Sequence, residues 1–168
     1  MYHAKHRLPS DVMPVVIDGL VMSIVRYGIP VYGSASKQCM HRIQKVLNFC
    51  ARVLSGRRKY DHISDVLSQL GWLSSDNMYL YRCVCLLRQA MLTGVPVTIA
   101  QSIVTPSQVH DRRTRASEEQ LLRLPAIRTE TGRRQFMFRA TAAYNALPAA
   151  VRRGNKRTLK RHFASQRR

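Results

Sequence analysis

Apolar side chains recur at helical spacing along much of this 168-residue chain, most clearly between Ser34 and Gly56. Either Ser34 or Ser36 can cap the start of a helix, and glycine is a common residue just past a helix end. Between these limits the apolar positions follow i, i+4, i+7, i+8 and i+11 spacing, which places them in one sector of the helix. They are Cys39, Ile43, Val46, Leu47, Cys50, Val53 and Leu54. The opposite sector holds Lys37, Gln38, His41, Arg42, Lys45, Asn48 and Arg52, so the pattern predicts an amphipathic helix with a cationic face that has no acidic residue.

The first apolar stretch predicts a helix over residues 12–27. Its apolar face comprises Val16, Leu20, Val21 and Ile24, and Gly28 and Pro30 predict its end. The wider stretch from Val12 to Tyr32 also contains Pro14, Asp18 and Arg26, and charged residues are costly inside a bilayer. We therefore interpret it as a core element and not as a membrane helix.

The remaining apolar patterns also favour helices. A short helix is predicted over residues 62–70, and Ser74-Ser75-Asp76 caps a longer one through Leu92 that is apolar nearly all round, as is typical of a central helix in a bundle. Residues 97–109 are ambiguous. Nearer the C-terminus the stripe Phe136, Ala140, Ala143, Tyr144 and Leu147 ends at Pro148, and Leu159 and Phe163 mark a basic final helix.

The expected fold is therefore mainly α, a small helical bundle followed by a basic, partly irregular C-terminal extension. We expect an N-terminal lead over residues 1–11, the bundle over 12–96, a basic connector over 97–134, and basic helices with a tail over 135–168.

The charge of the chain indicates that this predicted bundle has an anionic partner. The chain has 28 Lys and Arg against nine Asp and Glu, a formal net charge of +19. Residues 112–168 carry 16 Lys and Arg and three Glu, so two thirds of the excess lies in the last third of the chain. Nucleic acid is the simplest partner for such a chain.

Recognised catalytic and metal-binding motifs are absent from the sequence. We find no nucleotide-binding glycine loop, no HExxH, no GxSxG and no Cys/His cluster with zinc spacing. The carboxylates are scattered, whereas two-metal phosphoryl transfer needs them clustered. We expect no catalytic residue, no metal site and no cofactor. The four cysteines, Cys39, Cys50, Cys83 and Cys85, are expected to be reduced core residues of an intracellular protein, since the start of the chain has no secretory signal pattern.

Several short segments, taken in order, resemble one family. They are Tyr27-Gly28-x-x-x-Tyr32-Gly33, Ser36-Lys37, Arg42-Ile43-Gln44-Lys45-Val46, Ala51-Arg52-Val53-Leu54-x-Gly56, Leu67-x-x-Leu70-Gly71-Trp72-Leu73, Tyr81-Arg82, His110-Asp111-x-Arg113-x-Arg115, Arg128-Thr129-x-x-Gly132-x-Arg134-x-Phe136-x-x-Arg139-Ala140, Tyr144-Asn145-x-Leu147-Pro148 and Lys160-Arg161-x-Phe163. This succession is similar to the region after the palm in reverse transcriptases of jockey-like retrotransposons without long terminal repeats. The chain departs from the family at Tyr32 and Tyr144, where tryptophan is common.

The resemblance implies a transposon-derived fragment of an RNA-directed DNA polymerase, with a thumb-like bundle that holds a primer–template duplex. The palm and its paired aspartates would be encoded upstream, which makes such a palm a potential partner and leaves this fragment without polymerase chemistry.

Gripping a duplex by its backbone requires Lys and Arg on helix faces and loops. The expected nucleic-acid-binding residues are Arg42, Lys45, Arg52, Arg57, Arg58, Lys59, Arg112, Arg113, Arg115, Arg133, Arg134, Arg152, Arg153, Lys156, Arg157, Lys160 and Arg161.

Two alternatives stay open at this stage. The chain could be a host basic RNA-binding or ribosome-associated protein, or it could be the C-terminal piece of an active polymerase whose palm is supplied elsewhere. No membrane partner is expected, and nuclear access is compatible with a basic chain of this size.

Overall fold

The computed structural model describes Pro9, residues 11–108 and residues 119–166, and within these residues all regular secondary structure is helical. The predicted mainly α fold is confirmed. The helices are α1 (Val12–Tyr32), α2 (Lys37–Ser55), α3 (Ser64–Gln69), α4 (Ser75–Thr93), α5 (Val97–Ser102), α6 (Glu130–Arg133), α7 (Phe136–Asn145), α8 (Ala149–Arg153) and α9 (Lys156–Ser165), with a 3₁₀ turn at Pro106–Gln108.

Contacts between residues divide the chain into two units. The first contains the described residues up to Tyr79 together with Gln166, and the second spans Leu80–Ser165. The division therefore falls within α4, whereas the sequence pattern places the end of the bundle at residue 96.

Helix α1 runs further than its sequence predicts. It continues past Gly28 and Pro30 to Tyr32, with a π-helical stretch at Asp18–Met22. The expected stop at Gly28 is wrong, because this glycine makes room for an aromatic ring. A Cβ on Gly28 would lie 2.4 Å from Cε1 of Tyr32, whose hydroxyl donates to the Val25 carbonyl at 2.8 Å.

The face that α1 buries also differs from the predicted one. The buried residues are Met13, Ile17, Met22, Val25 and Ile29, while Leu20 and Ile24 of the predicted face are 63% and 70% exposed. The π-helical stretch changes the angular position of every residue after it, so straight-helix periodicity selects the wrong side. The interpretation of the whole stretch as a core element is therefore wrong for its outer side.

By length and composition alone, α1 is the one helix in the described ranges that could cross a membrane. Only 28% of its most apolar stretch is buried, and buried helices of soluble proteins and signal sequences pass the same test.

Helix α2 has the predicted limits, and it contacts α1 and α3. The Ser36 hydroxyl accepts a hydrogen bond from the Cys39 amide at 3.3 Å, and Gly56 ends the helix at φ 72°, a backbone angle that glycine adopts readily. Its buried face comprises Met40, Leu47, Cys50, Ala51 and Val53. The face is rotated from the predicted one, since Cys39 and Val46 are exposed. The expectation of four core cysteines is thus wrong for Cys39.

A small apolar cluster joins α2 to α3 and the loop after it. Ala51, Ile63 and Val66 form its buried centre, against which Leu67, Leu70 and Trp72 pack. The start of α4 is held nearby, where the Gln44 side-chain oxygen accepts from the Ser75 amide at 2.7 Å and the Ser74 hydroxyl accepts from the Asn77 amide at 3.3 Å.

In the second unit the predicted stripes of α7 and α9 are both present. Ala140, Tyr144 and Leu147 are buried with Thr141, and Leu159 and Phe163 are buried in α9. The segment 121–128, which has no regular secondary structure, is joined to the end of α7 by one side chain. The Asn145 amide oxygen accepts from the Leu122 N–H at 2.9 Å, and its nitrogen donates to the Leu122 carbonyl at 2.7 Å.

Candidate nucleic-acid interface

The most sharply divided surface of the second unit is that of helix α9. Leu159 and Phe163 are 0% and 2% exposed and form its inner stripe. The four cations around them are exposed, and none of the ion pairs found among the described residues involves them: Lys156, Arg157, Lys160 and Arg161. The fold thus presents four positive charges over two turns of helix with no carboxylate of the described residues to neutralise them.

This helix is firmly positioned at its start. The Asn155 side-chain oxygen accepts from the Thr158 amide at 2.9 Å, a standard N-terminal cap, and the Arg88 guanidinium donates to the Gly154 carbonyl. Further along, the Phe163 ring meets the edge of the Tyr81 ring at a centroid distance of 6.3 Å. The pKa of the Tyr81 phenol is raised to about 12 by burial and by the neighbouring Cys85. The cationic side chains therefore project from a fixed backbone.

Arg152 and Arg153 precede α9 and have opposite environments. Arg152 is only 8% exposed; its Nη1 donates to the Asn145 carbonyl at 3.3 Å, and its Nη2 lies 3.7 Å from the Glu119 carboxylate. Arg153 is exposed. We therefore give Arg152 a structural role, and keep Arg153 as a backbone-binding candidate.

In the first unit the solvent face of α2 carries Lys37, Arg42 and Lys45, all exposed. Arg52, two turns beyond Lys45, is half-buried, and its Nη2 donates to the Asp61 carbonyl at 3.3 Å. Three of the predicted cations of this face are thus free to meet a ligand, whereas Arg52 joins α2 to the turn that follows.

That turn, residues 57–62, is fixed by its own polar contacts. The Arg57 guanidinium bonds both oxygens of Asp65 and also donates to the His62 carbonyl. These hydrogen bonds hold the pKa of the Asp65 carboxyl below its usual value. The Asp61 carboxylate accepts from the Arg58 amide at 2.7 Å, which closes the turn.

The tip of the turn is presented to solvent. Arg58 and Lys59 are exposed, and Tyr60 is 89% exposed with the Lys59 ammonium 5.4 Å from its ring centre. Of the predicted triplet, Arg57 therefore supports the turn while its two neighbours face outward.

The connector contributes further cations. Arg133 and Arg134 are exposed at the end of α6. Arg123 and Arg128, which the predicted set omits, are exposed on the segment 121–128. Only the basic composition of this segment could have indicated these two residues, because the segment has no helical pattern of apolar residues. The predicted Arg112, Arg113 and Arg115 lie outside the described residues.

Within the described ranges no group of three or more His, Cys, Asp and Glu side chains lies close enough together to hold a metal ion. No disulfide joins the cysteines of the described ranges, and burial raises the pKa of the Cys50 and Cys85 thiols. Burial of this kind disfavours the reactive thiolate.

No protein-family model, curated protein or solved structure matches this chain. The resemblance to retrotransposon reverse transcriptases therefore rests on the sequence segments alone.

Proposed function

We propose that this chain binds the phosphate backbone of nucleic acids without sequence specificity. The supporting observation is the surface of α9, where four exposed cations surround a buried Leu159–Phe163 stripe and no carboxylate of the described residues pairs with them. Lys and Arg on a fixed helix contact phosphates, which fix register and affinity but carry no sequence information.

The proposal also covers the origin of the chain and its lack of catalytic activity. It is a non-catalytic fragment of a retrotransposon reverse transcriptase, whose thumb-like helices keep the backbone-binding task. Polymerase chemistry needs clustered carboxylates for two metal ions. Such a cluster is not found in the sequence pattern.

Salt dependence tests the electrostatic part of the proposal. With about 6 to 10 phosphates neutralised, affinity for a duplex should fall about 10³- to 10⁵-fold between about 50 and 200 mM salt. A binding constant that stays flat over this range would contradict the proposal.

A matched pair of variants tests the role of α9. Replacing Lys156, Arg157, Lys160 and Arg161 with Gln should lower the salt slope by about 3 to 4, since each lost phosphate contact removes about 0.9 from it. The comparison variant replaces Lys37, Arg42, Lys45 and Arg58, which are exposed cations of the first unit, with Gln and removes the same charge. It should also weaken binding, but less than the α9 variant does. Equal losses in the two variants would mean that net charge, not α9, determines binding. Circular dichroism should show both variants folded.

Titrations with DNA, RNA and hybrid duplexes separate this proposal from a host RNA-binding function. A thumb origin predicts binding to an A-like hybrid duplex, whereas an RNA-binding module should prefer a folded RNA. Translating the genomic DNA upstream of Met1 tests the remaining alternative, because an in-frame palm with paired aspartates would make this chain part of an active polymerase.

A further inference from the structure

The outer face of α1 carries six of the fourteen exposed large apolar side chains among the described residues. It consists of six large side chains, from 37% exposed at Val12 to 87% at Tyr27: Val12, Val15, Leu20, Ile24, Tyr27 and Val31. A helix of this length spans about 30 Å, and monomeric soluble proteins rarely leave a contiguous apolar patch above a few hundred Å² in contact with water. A face of this kind is typical of a protein–protein contact.

The charges of α1 favour a second copy of the chain as the partner. Asp18 and Arg26 are the charged residues between Val12 and Tyr32, so this stretch has no net charge within a chain of +19. Two copies repel one another most weakly where they approach through a neutral surface.

The order of the residues is close to symmetric about Met22. Leu20 and Ile24 lie two positions on either side of it, and Asp18 and Arg26 lie four on either side. The outer residues match less closely, with Val15 seven positions before and Tyr27 five after, and Val12 ten before and Val31 nine after. In an antiparallel pair of α1 helices, Leu20 of one copy then lies level with Ile24 of the other. Each such contact occurs twice, as a two-fold interface requires.

Asp18 and Arg26 form an ion pair within one chain, at 2.7 Å, with both side chains well exposed. Asp18 and Arg26 lie four positions before and after the buried Met22, so they flank the outer face. The same antiparallel register brings Asp18 of each copy level with Arg26 of the other along the edge of the contact. A parallel pair would set like charges level, which is unfavourable.

The centre of the face also permits close approach of two helices. A Cβ on Gly19 would meet nothing within 4 Å, and the Ser23 hydroxyl is turned back onto the Gly19 carbonyl. Both residues are small, and they lie beside Leu20 and Ile24.

We propose that the chain forms an antiparallel two-fold dimer through the outer face of α1. A lipid surface fits less well, because Asp18 and Arg26 lie along the flank of the same helix, and charged side chains are costly in a bilayer. The residues of this interface belong to the first unit, and none of them is among the four cations of α9.

Sedimentation of the full chain, freed of nucleic acid, tests the dimer. An interface near the small end of the standard range predicts dimers at micromolar concentration. Leu20→Asp with Ile24→Asp should leave a monomer. The matched control, Leu92→Asp with Val95→Asp, alters residues that are 82% and 55% exposed in the second unit and should still dimerise. Equal behaviour of the two variants would overturn the proposal.

Salt should change the affinity of the dimer and the affinity for nucleic acid in opposite directions. Screening of the repulsion between two chains of +19 should strengthen the dimer as salt rises from about 50 to about 500 mM. A chain that is monomeric at every salt concentration, yet floats with anionic vesicles unless Leu20 and Ile24 are replaced, would overturn the proposal in favour of a lipid surface.

Charge exchange tests the antiparallel register. Asp18→Arg places Arg against Arg across the axis, and Arg26→Asp places Asp against Asp, so each variant alone should dimerise at least tenfold more weakly. A one-to-one mixture of the two variants restores opposite charges between chains but not within either chain. Recovery of dimers in the mixture supports the register, and a mixture no better than either variant would overturn it.

Discussion

Helices α1 and α9 differ mainly in the side chains that they expose to solvent. Each buries a narrow apolar stripe, of five residues in α1 and of Leu159 and Phe163 in α9. The solvent side of α9 carries four cations, whereas that of α1 carries six large apolar side chains. The buried stripes explain why both helices fold, and the difference between the exposed faces is the reason for proposing a different partner for each helix.

The same distinction holds between neighbouring arginines. Arg57 and Arg152 bond to their own chain, while Arg58 and Arg153 face water. A positive charge alone therefore does not make an arginine a candidate for nucleic-acid binding. Each pair gives a variant and its control one position apart.

The largest expected effect comes from the buried stripe of α9. Phe163→Ala should lower the free energy of unfolding by about 3–5 kcal/mol, because it removes a buried ring and leaves a cavity. Denaturant titration followed by circular dichroism measures the loss. Lys160→Ala, on the exposed side, should stay within about 0.5 kcal/mol. If Phe163→Ala unfolds the second unit and leaves duplex affinity intact, then binding needs charge alone and the comparison with α1 fails.

Arg152→Ala should have the next largest effect, a loss of about 1–3 kcal/mol, because the Asn145 carbonyl loses a charged donor in a partly buried site. Arg153→Ala should leave stability almost unchanged and weaken duplex binding. Thermal melting and a duplex titration of both variants measure the two effects. The reverse assignment, with Arg153 setting stability, would show that burial does not separate the two roles.

A smaller change is expected at the turn of residues 57–62. Arg57→Ala removes the bonds to Asp65 and the His62 carbonyl and should increase proteolysis within the turn, with a modest loss of duplex affinity. Arg58→Ala should lower affinity without added proteolysis. Limited proteolysis followed by mass spectrometry distinguishes them, and identical cleavage patterns would contradict a supporting role for Arg57.

The smallest effect concerns pH. The Arg57 hydrogen bonds lower the pKa of Asp65 in the folded chain, so their stabilisation is present above the unfolded value of about 3.9 and is lost as pH falls through the folded pKa. Carboxyl NMR titration should show the pKa of Asp65 returning towards its ordinary value in Arg57→Ala. An unchanged pKa in that variant would show that Arg57 is not the cause.

Much of the helical fold could be predicted from the sequence. Helices α2, α4, α7 and α9 lie where their patterns place them because each has a cap or a breaker at its ends, although the buried face of α2 is rotated from the predicted one. The limits of α1 could not be predicted, since the role of Gly28 depends on the Tyr32 ring folding back over it. Its buried face could not be predicted either, because both sides are apolar.

The sequence predicts that the candidate site consists of Lys and Arg residues, but not which of them face solvent and which support the fold. The exposure of the α9 cations follows from the position of Leu159 and Phe163, since helix positions away from the buried stripe face outward. The roles of Arg57 and Arg152 depend on Asp65, Asn145 and Glu119, which reach them only through the folded chain. Such contacts cannot be predicted from the spacing of residues in the sequence.

The Asn145 side chain gives the second unit a chemical weak point. Its amide makes both hydrogen bonds that a neighbouring strand would make to Leu122, one as acceptor and one as donor. Deamidation replaces the donating nitrogen with oxygen, which turns the contact with the Leu122 carbonyl from attraction into repulsion. The attachment of Leu122 to the end of α7 would then weaken, while the hydrogen bond from the Arg123 N–H to the Val104 carbonyl at 2.9 Å remains. Hydrogen exchange of the Leu122 amide in Asn145→Asp should accelerate well before α7 and α9 lose protection, so chemical ageing of one side chain would loosen this unit from the connector inward.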